Sequence, residues 1–144
     1  MGIQSQADRE RFSRLRQSLM QLAGEIRPLV RSMISDKPLV RGTVYELKRK
    51  CGKPGCKCAR GELHPRMVLS ASEGGRTKIR AIPRGMLADV KIRGRRYQQF
   101  RRSRARLGEI HRKMLAILDQ MEAMRTERMV VQETGGGAKQ QEEA

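Results

Sequence analysis

Tryptophan is absent from this chain, and two tyrosines and two phenylalanines are its only aromatic side chains. At 3% aromatics over 144 residues, a large single core is excluded. A fold of this composition leans on helix pairing, a metal or oligomerisation. Carboxylates are also scarce: 15 Asp and Glu face 32 Lys and Arg, a formal net charge of +17. The expected partner is therefore polyanionic. No apolar run approaches the ~20 residues of a membrane-spanning helix, and the first residues contain no signal-peptide core. A cytoplasmic protein with no membrane partner is expected. The cysteines number three, an odd count packed between positions 51 and 58, which excludes a secreted disulfide framework.

What is present is concentrated. Cys51, Cys56 and Cys58 are followed by His64, one of only two histidines. Three thiols and an imidazole spaced C-x4-C-x-C-x5-H are the donor set of a closed tetrahedral zinc site. Gly52, Pro54 and Gly55 supply the tight turn that brings near neighbours onto one ion. Lys50, Lys53, Lys57 and Arg60 surround the thiols, and nearby cations favour thiolates for metal binding or redox reactivity. His111 reads as a helix-face residue. No H-x-E or H-E-x-x-H arrangement accompanies the cluster and Glu62 is its one nearby carboxylate, so Zn2+ is expected to be structural and the protein no enzyme.

The remaining chain divides by period. Apolar residues at Phe12, Leu15, Leu19, Leu22, Ile26, Leu29 and Met33 alternate steps of three and four, predicting a heptad helix from about Ala7 to Ser35. Pro28 is expected to kink or break it near its end. Phe100, Leu107, Ile110, Met114, Ile117, Met121 and Met124 form a second seam. Between them, 42–48, 66–71 and 77–82 alternate as strands, with a hairpin turn at Glu73-Gly74-Gly75-Arg76. Pro83 ends the third strand, and Gly94 is the expected break in the helix that follows. The fold class is α+β: two long helices, as an antiparallel hairpin or a dimeric coiled coil, flanking a small three-stranded antiparallel sheet with a zinc loop. The segments are 1–38 (heptad helix), 39–83 (β-meander with zinc loop), 84–131 (basic helix) and 132–144 (disordered tail).

Between Arg76 and Arg106 the only carboxylate is Asp89. Ordinary solvated helices mix charge signs to form i,i+4 pairs, whereas this one repels itself until a polyanion neutralises it. The candidate nucleic-acid contacts here are Arg76, Lys78, Arg80, Arg93, Arg95, Arg96, Arg101, Arg102 and Arg104. Around the cysteines they are Lys48, Arg49, Lys50, Lys53, Lys57 and Arg60. Arginine suits forked hydrogen bonding to phosphate. With so few aromatic platforms for stacking single strands, backbone-led binding is expected, DNA favoured over RNA. Tyr97 is no recombinase nucleophile, because the chain is too small for that catalytic fold and its partners are missing.

The run Cys51-Gly-Lys-Pro-Gly-Cys56-Lys-Cys58-Ala59-Arg60-Gly61, with His64-Pro65, resembles the signature of an uncharacterised prokaryotic domain family over roughly Val40 to Met121. The resemblance implies Cys51, Cys56, Cys58 and His64 as shared metal positions, and the company of a larger enzyme such as a transposase or integrase. Where that family has His-Gly-Pro and then tyrosines, Pro65 here follows His64 directly and Met67-Val68-Leu69 replaces the aromatics. The leading expectation is a non-enzymatic, zinc-stabilised nucleic-acid-binding accessory protein, as monomer or homodimer. Its rivals are a protein-interaction module using the seams and a redox-responsive regulator using the thiols.

Overall fold

The structure, a computed structural model, describes residues 2–127; the segment expected to be a disordered tail lies outside them. Ser5 starts the first helix, α1 (Gln6–Met33). Its Oγ accepts the Asp8 N–H at 3.0 Å, and the Asp8 carboxylate accepts the Ser5 N–H at 3.2 Å. This reciprocal capping box satisfies two otherwise unpaired donors. The three strands are β1 (Thr43–Arg49), β2 (His64–Glu73) and β3 (Arg76–Ala81). They pair antiparallel in the order β1-β2-β3. Gly74 and Gly75 turn β2 into β3 with φ of 59° and 78°, the paired positive values that a tight hairpin asks of its two central residues. A short 3-10 turn at Arg84–Met86 leads into α2 (Leu87–Arg125).

Pro28 lies within the last six residues of α1, close to its end at Met33. Its ring sits on an exposed face near the C-terminal end, where the loss of one backbone bond is tolerated. One expectation about helix breaks is corrected: Gly94 does not break α2. It is buried in mid-helix, and a Cβ built there would lie 3.9 Å from Val44 Cγ2. The glycine marks the place where β1 crosses the helix.

The helices pair within one chain and run antiparallel. Arg11 bonds to Gln120, Glu25 to Arg106, and Ser32 to Ser103, so partners in α2 descend as α1 ascends. All seven predicted α1 seam residues are buried or half-buried. Ile110 is fully buried on the facing helix, a contribution of about 1.5–3 kcal/mol. Phe12 closes the far end beneath the Arg16 guanidinium, 5.1 Å from its ring centre. Ser103 is the one buried polar side chain among the described residues. Its hydroxyl is satisfied by Ser32 Oγ at 3.1 Å and Gln99 Nε2 at 3.4 Å. Arg106 crosses the seam to Glu25 at 2.7 Å and reaches Glu109 at 3.0 Å. All three are part-exposed, so the network sets register more than it adds stability.

The sheet uses the opposite side of α2. Gly94 and Ser103 are nine residues apart, about two and a half turns, which places them on opposite faces. On the sheet side Val68 and Val90 are buried. The Val40 N–H donates to Arg93 O at 3.2 Å, and Gln98 Nε2 donates to Gly42 O at 3.2 Å. Gly42 has a φ of 126°, and a Cβ there would lie 2.5 Å from Ser70 O. Only glycine lets the chain enter β1 at this point.

Gly42→Ala is expected to cost about 1–3 kcal/mol in denaturant unfolding. Gly94→Ala meets only an ordinary contact and should be neutral or stabilising by up to about 1 kcal/mol. A second expectation concerns acid. Bonds from Lys113 and then Arg106 hold the Glu109 carboxyl below its ordinary value of 4.5. A lowered folded-state pKa means a contribution complete above that ordinary value and lost as pH falls through the lowered one. Glu109→Gln should therefore narrow the gap to wild type as unfolding free energies are followed down from neutral pH to below pH ~4.

Candidate metal centre

The cysteine segment is the turn of a β-hairpin. The β1–β2 ladder closes with Arg49 opposite His64, so residues 50–63 form an excursion between two paired strand ends, the knuckle. The excursion folds on its own backbone bonds. The Cys56 N–H donates to Lys53 O at 3.2 Å, and the Ala59 N–H to Cys56 O at 3.1 Å, starting a short 3-10 turn over Lys57–Arg60. Gly52 and Gly61, with φ of 77° and 107°, reverse the chain on either side. His64 comes from the first residue of β2 and is thus held by the sheet rather than the loop.

Cys51, Cys56, Cys58 and His64 converge, with all four donor atoms within 4.8 Å of one another. Cys51 and Cys58 Sγ are 3.4 Å apart, and Cys56 Sγ is 2.8 Å from His64 Nε2. A tetrahedral ion with metal–sulfur bonds of about 2.3 Å spaces its thiolates by about 3.8 Å, so the four donors surround a site of the right size. The group could hold a metal ion. Cys58 is buried, and its thiol is drawn down by the Cys51 N–H, which donates to its sulfur at 3.3 Å. That shift moves Cys58 toward the thiolate, the form a metal takes. His111, exposed on α2, stands outside the cluster.

The predicted cationic residues fall into three groups. Arg49, Lys50 and Lys53 line a hollow of about 590 Å³ that also touches Cys51, Cys56 and His64. Lys78 and Arg80 share the Glu73 carboxylate, at 3.2 and 2.6 Å, and Arg93 Nε lies 2.8 Å from Asp89 Oδ2. Arg95, Arg96, Arg101, Arg102 and Arg104 have no carboxylate within 4 Å among the described residues. Lys48, Lys57, Arg60 and Arg76 are exposed, the first three on β1 and the knuckle, the last at the start of β3. Sequence reasoning passed over Arg66, on β2, which joins the hollow beside the cysteines. It also passed over Arg41, whose place beside α2 is set by the β1 crossing. Neither lies in a basic run, so no sequence signal could have found them.

Metal loading is measurable directly. Cobalt(II) added to reduced protein should give one tetrahedral thiolate-coordinated ion per chain, and Cys56→Ser should abolish that spectrum and lower the thermal midpoint together. A Cys56→Ser protein with an unchanged midpoint would show that the cluster contributes no folding energy.

No curated protein and no solved structure matches this chain. A family model does: that of the Domain of unknown function (DUF6788), over residues 10–91. The match begins within the first turns of α1, takes in the knuckle and the sheet and stops a little inside α2, so it starts well before the expected span from Val40 and ends well short of its expected end at Met121. Taking in more than half of the chain, it shows that the protein belongs to this uncharacterised domain family.

Proposed function

We propose that this protein is a non-enzymatic, zinc-stabilised nucleic-acid-binding accessory protein, and that its ligand is the phosphate backbone of a duplex, DNA before RNA. One observation carries the reading. The α2 segment from Val90 to Gly108 contains eight Lys and Arg and no carboxylate, and most of these cations stay unpaired after folding. Within it only Arg93 and Arg106 reach a carboxylate, Asp89 for the first and Glu25 and Glu109 for the second, while Lys91, Arg95, Arg96, Arg101, Arg102 and Arg104 have none within 4 Å among the described residues. The unpaired stretch costs the monomer self-repulsion that a polyanion would relieve.

The knuckle supports the same reading. A divalent ion with three thiolates and a neutral imidazole carries one net negative charge. Four cations line the hollow beside it: Arg49, Lys50, Lys53 and Arg66. Neutralising the metal centre would need one of them, and the surplus suits phosphate. Zinc is the metal of choice because a Cys3His set with tetrahedral spacing is its ordinary structural site. A second reading, docking to a protein partner, is favoured by Met20, Leu115 and Leu118, which are 67%, 48% and 44% exposed on the paired helices. A second copy, or a larger enzyme of the transposase or integrase kind, could cover such residues and belongs to the same proposal of an accessory role.

The test is a titration of nuclease-treated, zinc-loaded protein against matched DNA and RNA duplexes over a salt series. Tight binding with a steep salt dependence is expected. Replacing Arg95, Arg96, Arg101 and Arg102 by Ala should flatten the slope of log K against log salt by about 3–4, at about 0.9 for each phosphate contact. Weak binding to both duplexes would remove the reading and favour the protein-partner one.

A further inference from the structure

At the start of β1 the chain is tied to α2 on both sides of a single residue. The Val40 N–H bonds to Arg93 O and the Gly42 carbonyl accepts from Gln98 Nε2, each at 3.2 Å. Arg41 sits between these two anchors. It lines a polar hollow of about 310 Å³ together with Arg101, Tyr97, Thr43 and Ser72. The two guanidiniums come from positions 60 residues apart, and neither has a carboxylate within 4 Å among the described residues. A guanidinium offers only donors, and the hydroxyls of Thr43, Ser72 and Tyr97 can donate as well. A hollow lined by two arginines and by hydroxyl-bearing residues, with no carboxylate among its lining, has the chemistry to take a tetrahedral oxyanion.

Resting on the nucleic-acid reading above, we infer that this α2–β1 hollow is a built phosphodiester site, the place where one backbone phosphate of the bound strand is clasped by Arg41 and Arg101. A second hollow, of about 410 Å³ and lined by Lys91 and Arg95, shares Gly42, Thr43 and Gln98 with the first. Gln98 and Gly42 thus line both hollows, and Lys91 and Arg95 add positive charge beside the first. The site is preorganised, because Arg41 is carried by backbone already fixed to α2, so less freedom is lost on binding. Gly42 has a structural part in this: without a Cβ it lets β1 pass close to Ser70 O and delivers Arg41 to the helix.

The experiment uses the full, zinc-loaded chain and a short labelled DNA duplex, with affinity read by fluorescence anisotropy across a salt series. Arg41→Ala and Arg101→Ala should each weaken binding at low salt by about tenfold. The double variant should be little worse than either single one, because both residues hold one phosphate. Its salt slope should fall by about 0.9. Arg104→Ala, outside the hollow, should combine additively with Arg41→Ala. Ser72→Asp sets a carboxylate in the hollow with both arginines kept, and should reproduce the loss while the thermal midpoint holds. Wild-type binding with an unchanged slope in the double variant and in Ser72→Asp would overturn the hollow while leaving the nucleic-acid reading standing. No binding by the wild-type protein even at low salt would overturn both.

Discussion

The two-sided use of α2 is the constraint on which the rest of this protein depends. A helix of 39 residues extends for nearly 60 Å, far more than either α1 or the sheet can cover. The chain packs α1 along the later part of one face and β1 across the earlier part of the opposite face. Ser103 and Ile110 mark the first contact, Val90 and Gly94 the second. Each contact is thin. The core consists of small separate clusters, with Phe12 and Ile110 in the helix pair and Val68 and Val90 under the sheet. A protein built this way has little apolar burial to spare, in keeping with its lack of aromatic residues.

That thinness gives the knuckle its structural weight. An excursion of this length between two paired strand ends carries a large entropy cost unless something closes it. Cys58 is almost fully buried, with 1% of its surface exposed, yet apart from its fellow ligands the knuckle is mostly exposed polar residues. A metal bound by four side chains would supply the crosslink that apolar packing does not. His64 would tie that crosslink to the ladder, so that metal binding and β1–β2 pairing would reinforce one another. The β1 strand then links the knuckle at its far end to the α2 crossing at its near end.

Charge follows the same architecture. Carboxylates are placed where elements meet: Glu25 and Glu109 at the helix pair, Glu73 at the β2–β3 turn, Asp89 at the start of α2. Cations without a carboxylate partner include Lys91, Arg95, Arg96, Arg101, Arg102 and Arg104 on the middle of α2 and Arg49, Lys50, Lys53 and Arg66 around the cysteines, and others lie along α1.

Much of this was legible in the sequence, for local reasons. The two heptad seams, the alternation of the three strands, the double-glycine turn and the spacing of Cys51, Cys56, Cys58 and His64 are short-range patterns, and each depends on residues within a few turns or one hairpin. The error at Gly94 has a tertiary cause: glycine weakens a helix in isolation, and here it sits where β1 crosses α2. Sequence by itself determined the elements, the four residues of the candidate metal site and the surplus of positive charge. Only the tertiary structure decided that the helices pair within one chain, that the sheet and α1 take opposite faces of α2, and that Arg41 and Arg101 share one hollow. Those outcomes depend on contacts between residues tens of positions apart, which periodicity and spacing do not encode.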